Sequence, residues 1–518
     1  HSAPARAAHG HRLAAQFRIV ALLHAGEEGI HVDMDDLPQA HGIIGGFPAI
    51  AIAIFAAMIR HRSILRAGAM PRKHAHVETR AGSKSGFPYW RSARKNSGMS
   101  SPASQSSRPF GERELIVLMA SLMSLQAFGI DSMLPALGLM ANDLGANGND
   151  RQYVISAYFL GAGIGAFFPG AFADRFGRRP VLFVGIIAYV GLSLACSIVQ
   201  DFETLLALRL VQGIACAGLS VVPTAIVRDR VGGDRMASMM SLIIMIFLAV
   251  PVFAPAIGQL ILMFFDWRAI FDAMAVMGTI VGIWVWLRLP ESLSEDNVQQ
   301  IDPVTILKNM GQALSNRISV GYVVGSALVF GSLFGFLNSS QQLIAESFGA
   351  GDYFALIFGA SIIGMVIASF TNSRIVEKFG ARRVSHAALI GFLVVSILQM
   401  ISAGRGGQTL WEFVPLLALN MTMLGFVGAN FSSIAMQPFQ HIAGAASSAQ
   451  TSLRMVTGAV LGAAIGQAYD GTAFPLGVAM TLCALTALVL VLYSERGKLF
   501  RRPNQARLYM ELHDILRH

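Results

Sequence analysis

The sequence predicts an all-α polytopic membrane protein, with twelve transmembrane helices in two pseudo-symmetric six-helix halves. Three observations predict it. Of 518 residues, 54% are hydrophobic and only 13% charged; twelve apolar stretches of span length follow one another from Leu115; and one charged loop recurs 203 residues further on. Soluble domains carry about 25% charged residues, so a soluble multidomain protein would lack half its surface charge. The apolar bias also excludes a disordered chain, and the 52 glycines sit within apolar runs, not in polar linkers.

A bilayer core of about 30 Å takes roughly 20 apolar residues per helix, because lipid offers no partner to an unpaired backbone group. The N-terminal half, 115–290, holds spans over 115–137, 153–172, 181–199, 204–226, 236–262 and 269–289. The C-terminal half, 318–493, holds spans over 318–340, 353–371, 384–403, 413–436, 442–468 and 473–493. Between them, 291–317 carries Glu295, Asp296, Asp302 and Lys308 and reads as a polar cytoplasmic connection. Residues 99–114, opening at Met99, read as a short cytoplasmic lead, and 494–518 as a cytoplasmic tail. Residues 1–98 fit less well. The run Ile43–Ile59 contains Gly45, Gly46 and Pro48 and lies too far in for a secretory signal. A poorly ordered extension, foreign to the native chain if the start is misassigned, is favoured over an extra membrane-associated helix.

The +9 net charge raises nucleic-acid binding, which needs a continuous basic patch. Many of the bases instead occupy alternate short loops: Arg175, Arg178 and Arg179 after span 2, Arg228, Arg230 and Arg235 after span 4, Arg374, Lys378, Arg382 and Arg383 after span 8. The other loops are acidic or base-poor, with Asp201, Glu203, Glu346, Asp352 and Asp470. That alternation is the signature of orientation, placing both ends of the helical body in the cytoplasm, with lipid and not nucleic acid as the surrounding partner. Cys196, Cys216 and Cys483 all lie in apolar runs, and the histidines concentrated before residue 98 lack ligand spacing, so no disulfide framework or metal site is expected. No phosphate-binding loop or catalytic motif stands out, so neither an ATP-driven pump nor an enzyme is expected and no cofactor is required.

The recurring loop pairs FADRFGRRPV from Phe172 with IVEKFGARRV from Ile375, setting Asp174 on Glu377, Arg175 on Lys378, Gly177 on Gly380 and Arg179 on Arg382. Both copies fall between the second and third span of a half. A parallel repeat of this kind puts a substrate site between the halves near the midplane and favours a transporter over a channel. Orientation explains the arginines of Gly170–Pro180, but not Asp174, Gly177 or the second copy.

That loop resembles the signature loop of the major facilitator superfamily, and the likeness extends from about residue 110 to 495. Arg209-Leu-Val-Gln212-Gly213 resembles the family's R-x-x-Q-G motif, and Val227-Arg228-Asp229 closes span 4 as in drug exporters. Asp131-Ser-Met-Leu-Pro135, Asp266-Trp267-Arg268 and Leu289-Pro290-Glu291-Ser292 are similar to the Bcr/CflA drug-resistance subfamily. Span 5 departs from the antiporter glycine-proline motif, with Ala254 before Pro255, and the second loop copy has Ala381 and Arg383 where the first has Arg178 and Pro180. The resemblance implies the major facilitator fold and proton-driven export of an amphipathic small molecule by alternating access, in a monomer. It also gives the loop residues Gly170, Asp174, Arg175, Gly177, Arg178, Arg179, Glu377 and Gly380 a part in conformational gating.

Charges inside spans are costly and commonly functional. Asp131 lies about two-thirds along span 1, Arg209 inside span 4 and Arg454 inside span 11. A carboxylate in an intermittently wet apolar cavity can exchange a proton. The resemblance points to Asp131 as that site and Arg209 as the cation tuning it, against the alternative of a structural ion pair. Tyr158, Gln212, Phe334, Asn430 and Arg454 are candidates for the substrate cavity, each with packing or interhelical hydrogen bonding as the plainer role. Gly458, Gly462 and Gly466 repeat every four residues and read as a packing face. A metabolite or sugar exporter on the same scaffold, or a non-transporting membrane sensor, are the rival functions.

Overall fold

The computed structural model describes residues 111–146, 148–231, 233–293, 308, 311–312 and 315–500. The expected extension over 1–98, most of the lead and central connection, and the tail after 500 lie outside the described residues. Among the described residues all regular structure is helical. Spans 1 to 6 are α1 (Glu112–Asp143), α2 (Asp150–Gly165 and Pro169–Phe176, bent by 47°), α3 (Arg178–Ser197), α4 (Phe202–Arg230), α5 (Ser238–Leu262) and α6 (Arg268–Arg288). Spans 7 to 12 are α7 (Arg317–Ser347), α8 (Gly351–Phe379), α9 (Ala381–Gly404), α10 (Leu410–Phe439), α11 (Ala443–Gln467) and α12 (Phe474–Ser494).

Ten of these are long and apolar enough to cross a bilayer, and the bent α2 makes an eleventh. Helix α11, 25 residues long, stands outside that set because Ser447, Ser448, Gln450, Thr451, Ser452 and Arg454 dilute its first half. It packs on α7 and α2, and two of these polar side chains are satisfied by other helices, Gln450 by Ser432 of α10 and Ser452 by the Gly163 carbonyl of α2.

The packing repeats with a shift of six helices. In the first half α1 packs on α4, α5 and α6, α4 on α2 and α3, and α3 on α6. In the second, α7 packs on α10, α11 and α12, α10 on α8 and α9, and α9 on α12. The halves meet along α2–α11 and α5–α8, which are themselves exchanged by the same shift. Outward faces stay apolar and uncovered, as at Val184, Ile187, Ile283 and Leu287, so lipid is their solvent.

One end of the bundle carries the arginine-rich loops and is called the basic end below. At the opposite end the halves are tied together. Arg151 pairs with Glu346 at 2.6 Å and donates to Gln341 Oε1 at 3.1 Å. Gln152 meets Gln342, and Asn149 donates to the carbonyls of Gln467 (3.2 Å) and Tyr469 (3.0 Å). Gln259 donates to Asp352 O at 2.8 Å and accepts from Ala355 N at 3.0 Å. Nearer mid-depth, Ser156 Oγ donates to Asn338 Oδ1 (3.1 Å), Ser452 Oγ to Gly163 O (2.7 Å), and the rings of Phe159 and Phe334 lie 4.1 Å apart. At the basic end the ion pairs join helices of one half: Arg178 with Asp174 and Asp229, Arg235 with Glu112, Arg382 with Glu495.

Candidate substrate and coupling site

Helix α1 is not continuous. Its first segment ends at Asp131, a 3-10 turn follows over Leu134–Ala136, and helix resumes over Leu137–Asp143. Pro135 explains the break, since it has no N–H to give the preceding turn. The sequence placed Asp131 two-thirds along a shorter span; with α1 extended to Asp143 it stands at a break well inside the membrane. Its residue is 4% exposed, and it makes no hydrogen bond or ion pair with a described residue.

Arg209 is wholly buried and does not pair with Asp131. Its guanidinium donates to Gln212 Oε1 at 2.6 Å, to Gly129 O at 2.9 Å and, more weakly, to Val154 O at 3.4 Å. It also covers the Tyr158 ring, 4.3 Å from the centroid. Gln212 Nε2 continues to Ser193 Oγ at 2.9 Å. A buried guanidinium needs its donors satisfied, and here carbonyls, an amide and a π-face do so without a carboxylate. The bond to Gly129 O grips α1 two residues before Asp131, so the physical link from Arg209 to Asp131 runs through the backbone. Gly213 completes the motif sterically: a Cβ there would lie 2.1 Å from Tyr158 O, so only glycine lets α4 press against α2.

Tyr158 and Gln212 therefore both belong to the Arg209 cluster. Tyr158 Oη also donates to Gln126 O at 3.3 Å. Asn430 is engaged with Asn372 at 2.8 Å, joining α10 to α8. Phe334 meets Phe159 across the halves. Arg454 lies over the Phe330 ring at 4.8 Å and makes no hydrogen bond or ion pair with a described residue.

The signature loop forms a compact ionic knot. Arg178 pairs with Asp174 at 2.5 Å and Asp229 at 2.9 Å, while Ser292 Oγ donates to Asp229 at 3.2 Å. Glu291, just past α6, accepts from the backbone N–H groups of Arg178 and Arg179, both at 3.0 Å, capping the first turn of α3. Partial burial pushes the Glu291 carboxyl up, but the N–H groups of Leu293, Arg179, Arg178 and Ser292 outweigh it and hold it below the usual range. Gly177 takes φ +96° to turn α2 into α3, and Gly380 repeats this at φ +85° before α9. Arg179 donates to Trp286 O at 2.7 Å. Arg175 is exposed, and the position of a Cβ on Gly170 is open, with nothing within 4 Å.

The second copy keeps the turn but changes the knot. Glu377, the counterpart of Asp174, is exposed and forms no ion pair with a described residue. Arg382 instead meets Glu495 at 2.7 Å, and Tyr322 Oη donates to the same carboxylate at 2.6 Å. Glu291 and Glu495 each follow the last helix of a half. Sequence reasoning missed both as loop partners, although their 204-residue separation, nearly the repeat offset, was the available signal.

A family model described as Major Facilitator Superfamily matches residues 116–463. The chain is 29% identical over 376 residues to a bicyclomycin resistance protein homolog of Haemophilus influenzae, covering 72% of this chain and 94% of that one. It is 31% identical over 336 residues to the multidrug resistance protein MdtL of Salmonella paratyphi C, covering 63% and 82%. Among solved structures, a D-xylose-proton symporter superposes with a TM-score of 0.58 at 14% identity, covering 75% of this chain and 100% of that one. The xylose transporter XylE from E. coli, in a partially occluded inward open conformation, superposes at 0.56 and 13%, covering 74% and 97%. At such identities these two speak for the fold alone. Motifs, six-plus-six packing and family match agree: the chain belongs to the major facilitator superfamily, with relatives of the kind its Bcr/CflA-like motifs implied.

Proposed function

We propose that this transporter exports drug-like, amphipathic small molecules in exchange for protons. The names of its relatives, a bicyclomycin resistance homolog and MdtL, support the substrate class. The observation that carries the coupling is Asp131: a carboxylate without a partner among the described residues, deep in the bundle, at a break in the helix that Arg209 holds by the Gly129 carbonyl. An unpaired carboxylate in an apolar setting favours its protonated form, and water access shifts it toward ionisation. Alternating access then delivers a proton from one side and releases it to the other, while substrate moves the opposite way.

The basic end is the cytoplasmic one by the positive-inside rule, which makes the tied end external and the state inward-facing. Asp174, Arg178, Asp229 and Glu291 act as a rigid corner of the first half, which docks against the second when the cytoplasmic side closes. Each inward charge is worth about 2.3 kcal/mol per 100 mV of membrane potential, enough to concentrate a substrate outside if net charge moves. The protein works as a monomer in a bacterial-type inner membrane, both ends of its helical body cytoplasmic. The test is reconstitution into proteoliposomes and transport of a panel of antibiotics and dyes under an imposed pH gradient. Uphill movement of at least one compound, collapsing with the gradient, supports drug:proton exchange; no uphill movement of any compound refutes it.

A further inference from the structure

Two arginines lie deep in the bundle, and they differ in one respect. Arg209 spends its donors on Gln212 and on two backbone carbonyls. Arg454 has no acceptor among the described residues, only the face of Phe330. A guanidinium presents five N–H donors, and one ring face cannot replace the hydrogen bonds that water gave them.

Its position follows from the register of α7 on α11. Going toward the basic end, Gly466 faces Gln152, Gly462 faces Asn338, and Gly458 faces Phe334. The next turn of the same series is Arg454, over Phe330. The first three layers coincide with inter-half contacts: Gln152 to Gln342, Ser156 to Asn338, Phe159 to Phe334. Arg454 and Phe330 thus form the first layer on the basic side of the Phe159–Phe334 contact. Phe330 also rests against Gly428 of α10, and Gln450, one turn before Arg454, donates to Ser432 Oγ of α10 at 3.0 Å. Val460, exposed on α11, lies about 120° around the helix from Arg454, so the part-exposed Arg454 stands on the side of α11 that meets Phe330 of α7.

We infer that Arg454 and Phe330 form a recognition site for an anionic group carried on a flat aromatic or apolar body. The guanidinium supplies a bidentate partner for a carboxylate or sulfonate, and the Phe330 ring supplies the apolar wall. The transport reading above gives the site its meaning, and the inference adds that the substrate range includes organic anions. A lipid phosphate shares the ligand chemistry, so the test separates the two sources.

The probes are 1-naphthoate and its uncharged analogue 1-naphthamide, titrated against the full chain in a neutral maltoside detergent. The expected result is at least about tenfold tighter binding of naphthoate, a preference lost in R454Q and partly kept in R454K. F330L should weaken both probes together. Thermal unfolding and monodispersity of each variant report folding separately. Equal binding of the two probes to the wild type overturns the inference, as does a preference that survives in folded R454Q. In vesicles of phosphatidylcholine, wild-type protein should move naphthoate. If naphthoate binds but is not moved, and phosphatidylglycerol displaces it, the site belongs to lipid and the inference fails. Ethidium export by the wild type under the same pH gradient tests the transport reading on its own, so either can fail without the other.

Discussion

The glycines of the two signature motifs should respond to alanine with opposite signs. At Gly213 a new Cβ would lie 2.1 Å from Tyr158 O and 2.8 Å from Ala162 N, both backbone atoms of α2. Ordinary contact needs about 3.4 Å or more between such heavy atoms, so α4 and α2 must part by roughly 1 Å. Overpacking of that kind costs about 1–3 kcal/mol. It also disturbs function, because Arg209 sits one turn before Gly213 and its bond to Val154 O is already 3.4 Å long. At Gly170 nothing lies within 4 Å of the Cβ position, and the residue is inside a helical turn. Alanine there gains helix propensity, about 0.5–1 kcal/mol. Thermal unfolding of detergent-purified protein, followed by tryptophan fluorescence, should show G213A melting below the wild type and G170A at or above it. A G213A protein as stable as the wild type, or a G170A protein equally destabilised, refutes the close-approach reasoning.

Three further outcomes follow from the ionic contacts. The folded-state pKa of Glu291 is lowered, so the stabilisation it gives α3 is complete above the unfolded value of about 4.3 and is lost as pH falls through the lower folded value. Protection of the Arg178 and Arg179 amides, read by hydrogen-exchange mass spectrometry relative to the intrinsic exchange rate at each pH, should therefore fall on acidification below that range, and E291Q should show low protection already at neutral pH. The Arg151–Glu346 pair is partly exposed and worth about 0.2–1 kcal/mol. Spin labels at positions 142 and 472 should show a larger wide-distance population in R151E, reversed in the R151E/E346R double variant. R382Q should loosen the start of α9 without affecting α3, since its partner Glu495 belongs to the second half; exchange at residues 381–386 against 178–183 measures this.

How far the sequence reached depends on the kind of contact concerned. Span number, repeat and loop charge are properties of composition along the chain, which lipid exposure imposes residue by residue. Even α11, diluted by serines and glutamine, was legible because its neighbours fixed where a helix had to lie. The bend in α2 was not, because residues 169–176 are apolar enough to continue a span but polar enough to form a loop, and only packing decides. Partners were least legible. Arg209 invites a carboxylate, yet its site is made of the Gly129 carbonyl and Gln212. Asn430 read either as a cavity residue or as an interhelical hydrogen-bonding one, and its partner Asn372 on α8 was not legible from the sequence. A helical face can be written from one sequence, but the group it meets on another helix cannot. Glu291 went unnoticed as a cap for the same reason: its acceptors serve α3, more than 110 residues earlier.

The most direct test of proton coupling is a paired measurement in proteoliposomes, recording substrate efflux and internal pH together for the wild type and D131N. Folding is checked by the thermal unfolding of both. Proton entry and substrate export should be locked together in the wild type, and a folded D131N should lose uphill export while still exchanging substrate down its gradient. A folded D131N that keeps proton-driven uphill export would contradict the assignment of Asp131 as the coupling carboxylate.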